Sequence, residues 1–249
     1  MIDAWYLDKH AIGDAELAAA RTLLADAERA RHDRYLLERD RRDFAFAHAL
    51  TRTTLSKYDA ITPGAWTFGA ADKGKPFITS PTTQPLSFNL SHTQGFVACV
   101  VASGIGGGIS GGIDVGIDVE ALDRKVEGDD IARRYFAGIE INGLHALSGD
   151  ERVERFFELW TLKEAYTKAV GSGLSSPLDA MSFVFLDTDE IVFTPPPGVD
   201  ACQWQFALFA PTPRHRMAIA ARCADGAGRI SARDAASGSA AAAVRVSVR

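Results

Sequence analysis

The stretch Gly112–Glu120, with the sequence GIDVGIDVE, decides how this chain is organised. The four residues GIDV occur twice, and only the second copy is followed by another acid. In a strand, residues two apart face the same side, so Asp118 and Glu120 would present two carboxylates on one face. The alternating Ile117 and Val119 would face a core on the other side. The pattern therefore predicts an acidic strand.

Two adjacent carboxylates repel each other, and a cation between them removes that cost. Carboxylate pairs suit Mg²⁺, which completes its shell with phosphate oxygens and water. Asp114 in the first copy has Gly116 where the second acid would be. The second copy is therefore the predicted site, and the first is predicted to be strand or connector. An exposed strand without a metal is the alternative.

The composition is that of an ordinary globular protein, with 249 residues of which 47% are hydrophobic and 24% charged. One or two domains are expected. The formal net charge of -5 gives no reason to expect nucleic acid or an anionic membrane as a partner. Neither a signal peptide nor a membrane span is expected. The three cysteines, Cys99, Cys202 and Cys223, are far apart and favour a reduced, cytoplasmic protein.

Glycines between Gly104 and Gly112 divide the chain into two predicted halves of mixed helix and strand. We predict an N-terminal half over 1–111, a C-terminal half over 112–224 and a disordered tail over 225–249. Helices are predicted over 14–31, 38–58 and 153–170, the last one ended by Gly171. Strands are predicted over 77–79, 86–92, 96–102, 181–186, 191–194, 203–209 and 216–221.

Another acid lies on the helix predicted within WTLKEAYTKAVGSGL, Trp160–Leu174. Glu164 and Lys168 are four residues apart, so they share one helix face. Taken alone, they are typical of a surface ion pair. Three further motifs are equally weak alone, namely the helical Arg39 and Arg42, the turn GKP at 74–76 and SHT at 91–93.

Jointly and in this order, these segments resemble the Sfp-type 4'-phosphopantetheinyl transferases. The resemblance covers the chain from about Arg39 to Leu174, and GIDVE and WTLKEAYTKAVGSGL are its most specific parts. It implies an α+β fold, a pseudo-dimer of two similar α/β halves with the active site at their interface. It also implies a monomer, and the net charge adds the expectation that neither nucleic acid nor a membrane is a partner.

The activity that the resemblance implies is transfer of the 4'-phosphopantetheine arm of coenzyme A to a serine of an apo acyl or peptidyl carrier protein. The reaction depends on Mg²⁺ and releases adenosine 3',5'-bisphosphate. Asp118, Glu120 and Glu164 would hold Mg²⁺ against the pyrophosphate. Glu164 would also take the serine proton, directly or through water, and the direction of its pKa shift stays open. Lys168 would support the departing phosphate.

Coenzyme A would be held by basic and polar residues of both halves. Lys75 and His92 match phosphate-contacting positions of the family, and Arg39 or Arg42 would complete a pocket for the 3'-phosphate. Lys163 would contact the pyrophosphate or lie on the helix surface. The implied coenzyme A site comprises Arg39, Arg42, Lys75, Pro76, Ser91, His92, Lys163 and Lys168.

Three other functions stay open from the sequence. A Mg²⁺-dependent phosphohydrolase would use the same carboxylates on water and would not need the GKP and SHT motifs. A paralogue that binds coenzyme A or a carrier protein without turnover would have lost activity through the glycine-rich insertion. A purely structural domain would leave Asp118, Glu120 and Glu164 apart in space.

Overall fold

The computed structural model describes residues 1–9, 12–104, 112–124, 128–173, 176–187, 190–223, 230–234 and 243–248. The helices are α1 (Asp14–Thr22), α2 (Asp26–His32), α3 (Glu38–Leu55), α4 (Gly128–Tyr135), α5 (Gly138–His145) and α6 (Gly149–Val170). The strands of the N-terminal half are β1 (Ile2–Asp8), β2 (Phe68–Ala70), β3 (Pro76–Ile78), β4 (Leu86–Thr93) and β5 (Phe96–Ser103). The later strands are β6 (Asp114–Ala121), β7 (Ser182–Asp187), β8 (Glu190–Thr194), β9 (Trp204–Thr212), β10 (His215–Arg222), β11 (Ile230–Asp234) and β12 (Ala243–Val248).

The helices agree with the sequence predictions except near residue 25 and between 128 and 145. The first predicted helix is interrupted, because the chain turns at Leu24 to bury that side chain and α2 starts afresh. Glu28 marks this new start by accepting a hydrogen bond from the Ala25 amide at 2.8 Å. Helices α4 and α5 were not predicted. Helix α6 ends as predicted at Gly171, which adopts the left-handed conformation with φ 76°.

Two sheets form the centre of the protein. The first has the strand order β11-β1-β5-β4, and the second has the order β6-β10-β9-β12-β8-β7. Strands β2 and β3 form a separate pair. Both copies of GIDV lie within or beside one strand, β6, which is at an edge of the second sheet and pairs with β10.

Three hydrophobic clusters make four layers of these elements. One cluster lies between the first sheet and helices α1 and α3, and another lies between the second sheet and helices α4 to α6. The third joins the inner faces of the two sheets and contains Ile117, Val119 and Phe96. Each half therefore has a sheet with a long helix on its outer face. The predicted α+β fold of two halves is confirmed.

The C-terminal residues differ from the predicted disordered tail at two places. Strand β11 pairs in parallel with β1, and strand β12 lies between β8 and β9. The segment 243–248, with the sequence AVRVSV, alternates valine with other residues, as a strand does. The remaining parts of the tail, 225–229, 235–242 and 249, lie outside the described residues, as do residues 105–111 of the glycine connector with the predicted boundary at residue 111.

Lys163 is buried, which corrects its prediction as a pyrophosphate contact or surface residue. Its side chain is 0% exposed and lies 2.8 Å from Oε2 of Glu140, which is also 0% exposed. The ammonium group donates to the carbonyls of Leu178 and Met181, and Glu140 accepts from the amide of Phe183. Burial lowers the pKa of Lys163 and raises that of Glu140, and the attraction between them opposes both shifts. The pair joins α5, α6 and β7.

We expect Lys163→Met to destabilise the fold by about 3–5 kcal/mol, because it leaves the Glu140 carboxylate buried without its counter-ion. The measurement is the free energy of unfolding in urea. The matched control is Lys57→Met, the same substitution at an exposed lysine above the Trp5 ring. The control should cost no more than about 1 kcal/mol. Equal losses in both variants would show that the buried pair does not hold the helices together.

Candidate active site

The two sheets meet where the edge strands β4 and β6 lie side by side. Asn89 Oδ1 accepts a hydrogen bond from the Ile117 amide at 3.1 Å, and Ser91 Oγ accepts one from the Val119 amide at 3.3 Å. Polar side chains of β4 thus occupy the position of a neighbouring strand and satisfy the free edge of β6. We call this contact the seam.

The seam orients the two acids of the second GIDV copy. Ser91 Oγ donates to Asp118 Oδ1 at 2.9 Å, and Thr93 Oγ1 donates to Glu120 Oε2 at 3.3 Å. Lys168 donates to the same Asp118 oxygen at 2.6 Å and to Ser91 Oγ at 2.9 Å. Ser91 therefore uses its one donor and both acceptor positions within the seam. Asp118 and Glu120 are 5% and 7% exposed.

Gly116 brings helix α6 against β6 at this point. A Cβ atom on Gly116 would lie 2.1 Å from the Ala165 carbonyl oxygen and 2.4 Å from the Ala169 amide nitrogen. Both contacts are with helix backbone, so only glycine allows this approach. Glu164 and Lys168, on the same face of α6, consequently reach the acids of β6. The missing acid of the first GIDV copy is explained by helix packing.

Glu164 is half-buried and lies among like charges. Burial raises its pKa to about 7, assisted by the charges of Asp118 and Glu120 and opposed by Lys168. Two carboxylate oxygens, Glu164 Oε1 and Asp118 Oδ2, are buried and have no hydrogen-bond partner. The structure thus resolves the direction of the Glu164 shift and leaves two acceptor atoms unsatisfied.

Glu120, in contrast, has both of its oxygens engaged. Arg124 forms an ion pair with Oε1, and Thr93 donates to Oε2. Burial and the charge of Asp118 raise the pKa of Glu120, while Arg124 opposes the shift. Among the described residues, no three acid, histidine or cysteine side chains already surround one point that would hold a metal ion. The unsatisfied oxygens nevertheless fit a hard divalent cation at two of the three acids.

A cavity of about 540 Å³ opens beside the seam. Its basic lining consists of Arg31, His48, Lys73, Lys75, His92 and Lys168. Its aromatic lining consists of Tyr35, Phe44, Phe68 and Phe88. An apolar wall with several cations suits an aromatic ligand that carries phosphate groups.

The cavity contains a different arginine from those predicted. Arg31 lines it, 5.4 Å from the centre of the Phe44 ring. Arg42 instead donates to Asp14 at 2.9 Å and to the Ile12 carbonyl, and Arg39 is largely exposed beside Asp40. These two arginines are thus held elsewhere. Arg31 stood at the end of a predicted helix, and no local signal distinguished it.

The other predicted ligand-binding residues lie at or beside the cavity. Lys75 and Pro76 line it, although the Lys75 ammonium pairs with Asp114 at 3.1 Å and with the Ala169 carbonyl. Asp114 therefore anchors a lysine and is not part of the acidic cluster. Ser91 belongs to the seam and is not among the lining residues.

His92 is half-exposed, with Nδ1 3.9 Å from Asp43 Oδ2. Packing lowers its pKa; Asp43 opposes this shift, and the ammonium groups of Lys9 and Lys168 add to it. Asp43 itself is ion-paired with the buried Lys9. No pattern in the sequence indicated this pair, since Lys9 and Asp43 belong to different parts of the chain.

Glu28 lies at the far side of the cavity in a second polar network. It accepts from Arg52 at 2.8 Å and contacts His48 Nδ1 at 2.9 Å. Burial favours the neutral acid, but the His48 and Ala25 hydrogen bonds and the nearby cations outweigh it and lower the pKa of Glu28 to about 2. The network ties α2 to α3 beneath the ligand cavity.

Two sequence models of known families match this chain. The model described as 4'-phosphopantetheinyl transferase superfamily matches residues 114–220, and the one described as 4'-phosphopantetheinyl transferase, N-terminal, matches residues 12–104. The matches lie on either side of the glycine connector. Together they include the seam, α6 and the basic residues of the cavity.

Curated relatives carry the same description. A 4'-phosphopantetheinyl transferase of Bacillus subtilis is 30% identical over 61% of this chain and 62% of its own length. The 4'-phosphopantetheinyl transferase HetI of Nostoc sp. is 30% identical over 73% of this chain and 70% of its own. The 4'-phosphopantetheinyl transferase Sfp of Bacillus subtilis is 26% identical over 87% of this chain and 89% of its own.

We expect Gly116→Ala to destabilise the protein by about 1–3 kcal/mol, because α6 has to move away from β6. Movement of α6 would also move Glu164 and Lys168 away from the seam. Gly143→Ala is the matched control, since a Cβ there meets nothing within 4 Å. It should stabilise α5 by about 0.5–1 kcal/mol. Thermal unfolding of both variants measures the difference, and equal melting temperatures would refute the close approach.

The low pKa of Glu28 predicts a pH-dependent contribution to stability. A group whose folded pKa is depressed stabilises the fold above its ordinary value of 4.5 and loses this contribution as the pH falls toward the folded value of about 2. We expect Glu28→Gln to cost up to about 3 kcal/mol of unfolding free energy at pH 7 and much less at pH 3. Urea titrations at both pH values measure this cost.

The control is Glu151→Gln, at an exposed residue of α6. Its unfolding free energy should stay within about 0.5 kcal/mol of the unsubstituted protein at both pH values. A cost of Glu28→Gln that does not change between pH 7 and pH 3 is the outcome that contradicts the prediction.

Proposed function

Since the chain belongs to the 4'-phosphopantetheinyl transferase family, we propose that it transfers the 4'-phosphopantetheine arm of coenzyme A to a serine of an apo acyl or peptidyl carrier protein. The observation that carries this proposal is the position of the acidic seam beside a basic, aromatic-lined cavity. The cavity suits a nucleotide with several phosphates, and the seam suits chemistry on one of them.

Coenzyme A would lie with its adenine and 3'-phosphate in the cavity and its pyrophosphate toward the seam. Arg31, Lys75 and His92 would meet the phosphates, and the aromatic wall would contact the base. Lys75 would keep its place through Asp114. His92 would strengthen binding by taking up a proton once the dianionic phosphate is beside it.

We propose that Mg²⁺ binds at the unsatisfied oxygens Asp118 Oδ2 and Glu164 Oε1, with Glu120 as a third ligand. When bound, it would neutralise charge on the pyrophosphate of coenzyme A. Lys168 stays beside Asp118 and the phosphate oxygens. The side chains of the seam hold these groups in place before the substrate arrives.

In the proposed reaction, the carrier serine Oγ bonds to the phosphorus that bears the pantetheine arm. The bond from this phosphorus to the bridging oxygen breaks. The serine proton passes to Glu164, directly or through a water molecule. The bridging oxygen leaves with adenosine 3',5'-bisphosphate, and Lys168 stabilises its charge. Atoms and charge balance without a further reactant.

One chain supplies both sides of this site, so we expect a monomer. The three cysteines form no disulfide, which supports a reducing, cytoplasmic environment. No helix among the described residues has the length and hydropathy needed to cross a bilayer. The proposed partners are coenzyme A and the carrier protein.

The test is intact mass spectrometry of an apo carrier protein incubated with this protein, coenzyme A and Mg²⁺, beside a sample containing EDTA. We expect one phosphopantetheine to be added to the carrier serine only without EDTA. Asp118→Asn should slow transfer at least about a hundredfold, because it removes charge that both Lys168 and the cation need. The matched variant Asp114→Asn should change mainly KM for coenzyme A.

Other outcomes separate the alternatives. Loss of activity in Asp114→Asn but not in Asp118→Asn would show that the first GIDV copy carries the chemistry. Release of phosphopantetheine or phosphate without a carrier would indicate a phosphohydrolase. Bound coenzyme A with no turnover on acyl and peptidyl carriers would indicate a non-catalytic binder.

A further inference from the structure

Arg124 occupies a carboxylate that the proposed function needs. It lies just after β6, four residues beyond Glu120, and its Nη1 pairs with Glu120 Oε1. The Glu120 side chain is only 9% exposed, whereas that of Arg124 is 53% exposed. With Thr93 on the other oxygen, both carboxylate oxygens of Glu120 are already engaged.

Arg124 has open space beside it. It lines a second cavity of about 530 Å³, together with Leu122 and the ion-paired Asp129 and Arg152. Among the residues that the structure describes, none lines both this cavity and the coenzyme A cavity. The guanidinium group can therefore leave Glu120 toward solvent without entering the substrate pocket.

Two cations balance the acidic cluster in this structure. Lys168 pairs with Asp118 and is 29% exposed, and Arg124 pairs with Glu120. Glu164 has one buried oxygen without a hydrogen-bond partner. A divalent cation that entered with both side chains in place would meet a cluster already largely neutralised. Arg124 is the more exposed of the two, so breaking its ion pair costs less free energy than breaking that of Lys168.

We propose that Arg124 is a positioning residue that competes with the divalent cation for Glu120 and thereby sets the affinity of the site for Mg²⁺. This inference rests on the proposed function. In the absence of the cation, Arg124 holds Glu120 in place and limits repulsion within the cluster. When the cation binds, Arg124 moves away from Glu120 toward the second cavity, and Glu120 completes the ligand set.

The experiment is calorimetric titration of Mg²⁺ into the full chain saturated with coenzyme A, without a carrier protein. We expect Arg124→Gln to bind Mg²⁺ about fivefold more tightly, because the competing charge is gone. Arg124→Lys keeps the charge and should stay close to the unsubstituted protein. Arg133→Gln is the matched control, since Arg133 pairs with Asp130 on the exposed face of α4.

A structural role for Arg124 would not produce this pattern. Arg124→Gln should not tighten Mg²⁺ binding when it is added to Glu120→Gln. Residue 120 then carries no charge for which Arg124 and Mg²⁺ could compete. Unchanged or weaker Mg²⁺ binding in Arg124→Gln, or no binding in either protein, overturns the proposal. Arg124→Gln could bind Mg²⁺ more tightly while the unsubstituted protein fails to modify any carrier protein. That result would contradict the proposed transfer but support the competition between Arg124 and Mg²⁺.

Discussion

The free edge of β6 is the constraint on which the rest of the site depends. Its amides need acceptors, and Asn89 and Ser91 of the other half supply them from side chains. A backbone ladder would have placed another main chain at this edge; the side-chain contact leaves room for the acids and for Lys168. The acidic site is therefore assembled only when both halves are folded and in contact.

The same seam explains why the cluster tolerates its charge. Asp118 is held by Ser91 and Lys168, and Glu120 is held by Thr93 and Arg124. Glu164 receives no such compensation at one oxygen, and its pKa rises accordingly. The stability of the fold and the binding of a cation thus oppose each other here. Each contact that reduces repulsion among the carboxylates also occupies an oxygen that a cation would use.

Local patterns in the sequence predicted the parts of the site that depend on local geometry. The period of two in β6 and the spacing of four in α6 were sufficient to orient Asp118, Glu120, Glu164 and Lys168. Lys163 was misplaced because its partner, Glu140, lies on α5, a short helix that gave no clear period. Arg39 and Arg42 were misplaced because the packing of α2 against α3 decides which arginine reaches the cavity. The spacing of residues within one helix does not contain that information.

The doubled GIDV has a consequence for how the chain reaches this structure. Four is an even number, so a strand displaced by one repeat would still bury Ile113 and Val115 in place of Ile117 and Val119, and would set Asp114 opposite Lys168. Hydrophobicity separates the two alignments only at the ends of the strand, where Gly111 would replace the buried Val115 and Ile117 would replace the buried Ala121. The correct one is selected by Glu120, which the displaced strand replaces with Gly116, and by Lys75, which would lose Asp114. The alignment of β6 consequently depends in part on two ion-pairing residues that also serve the proposed chemistry.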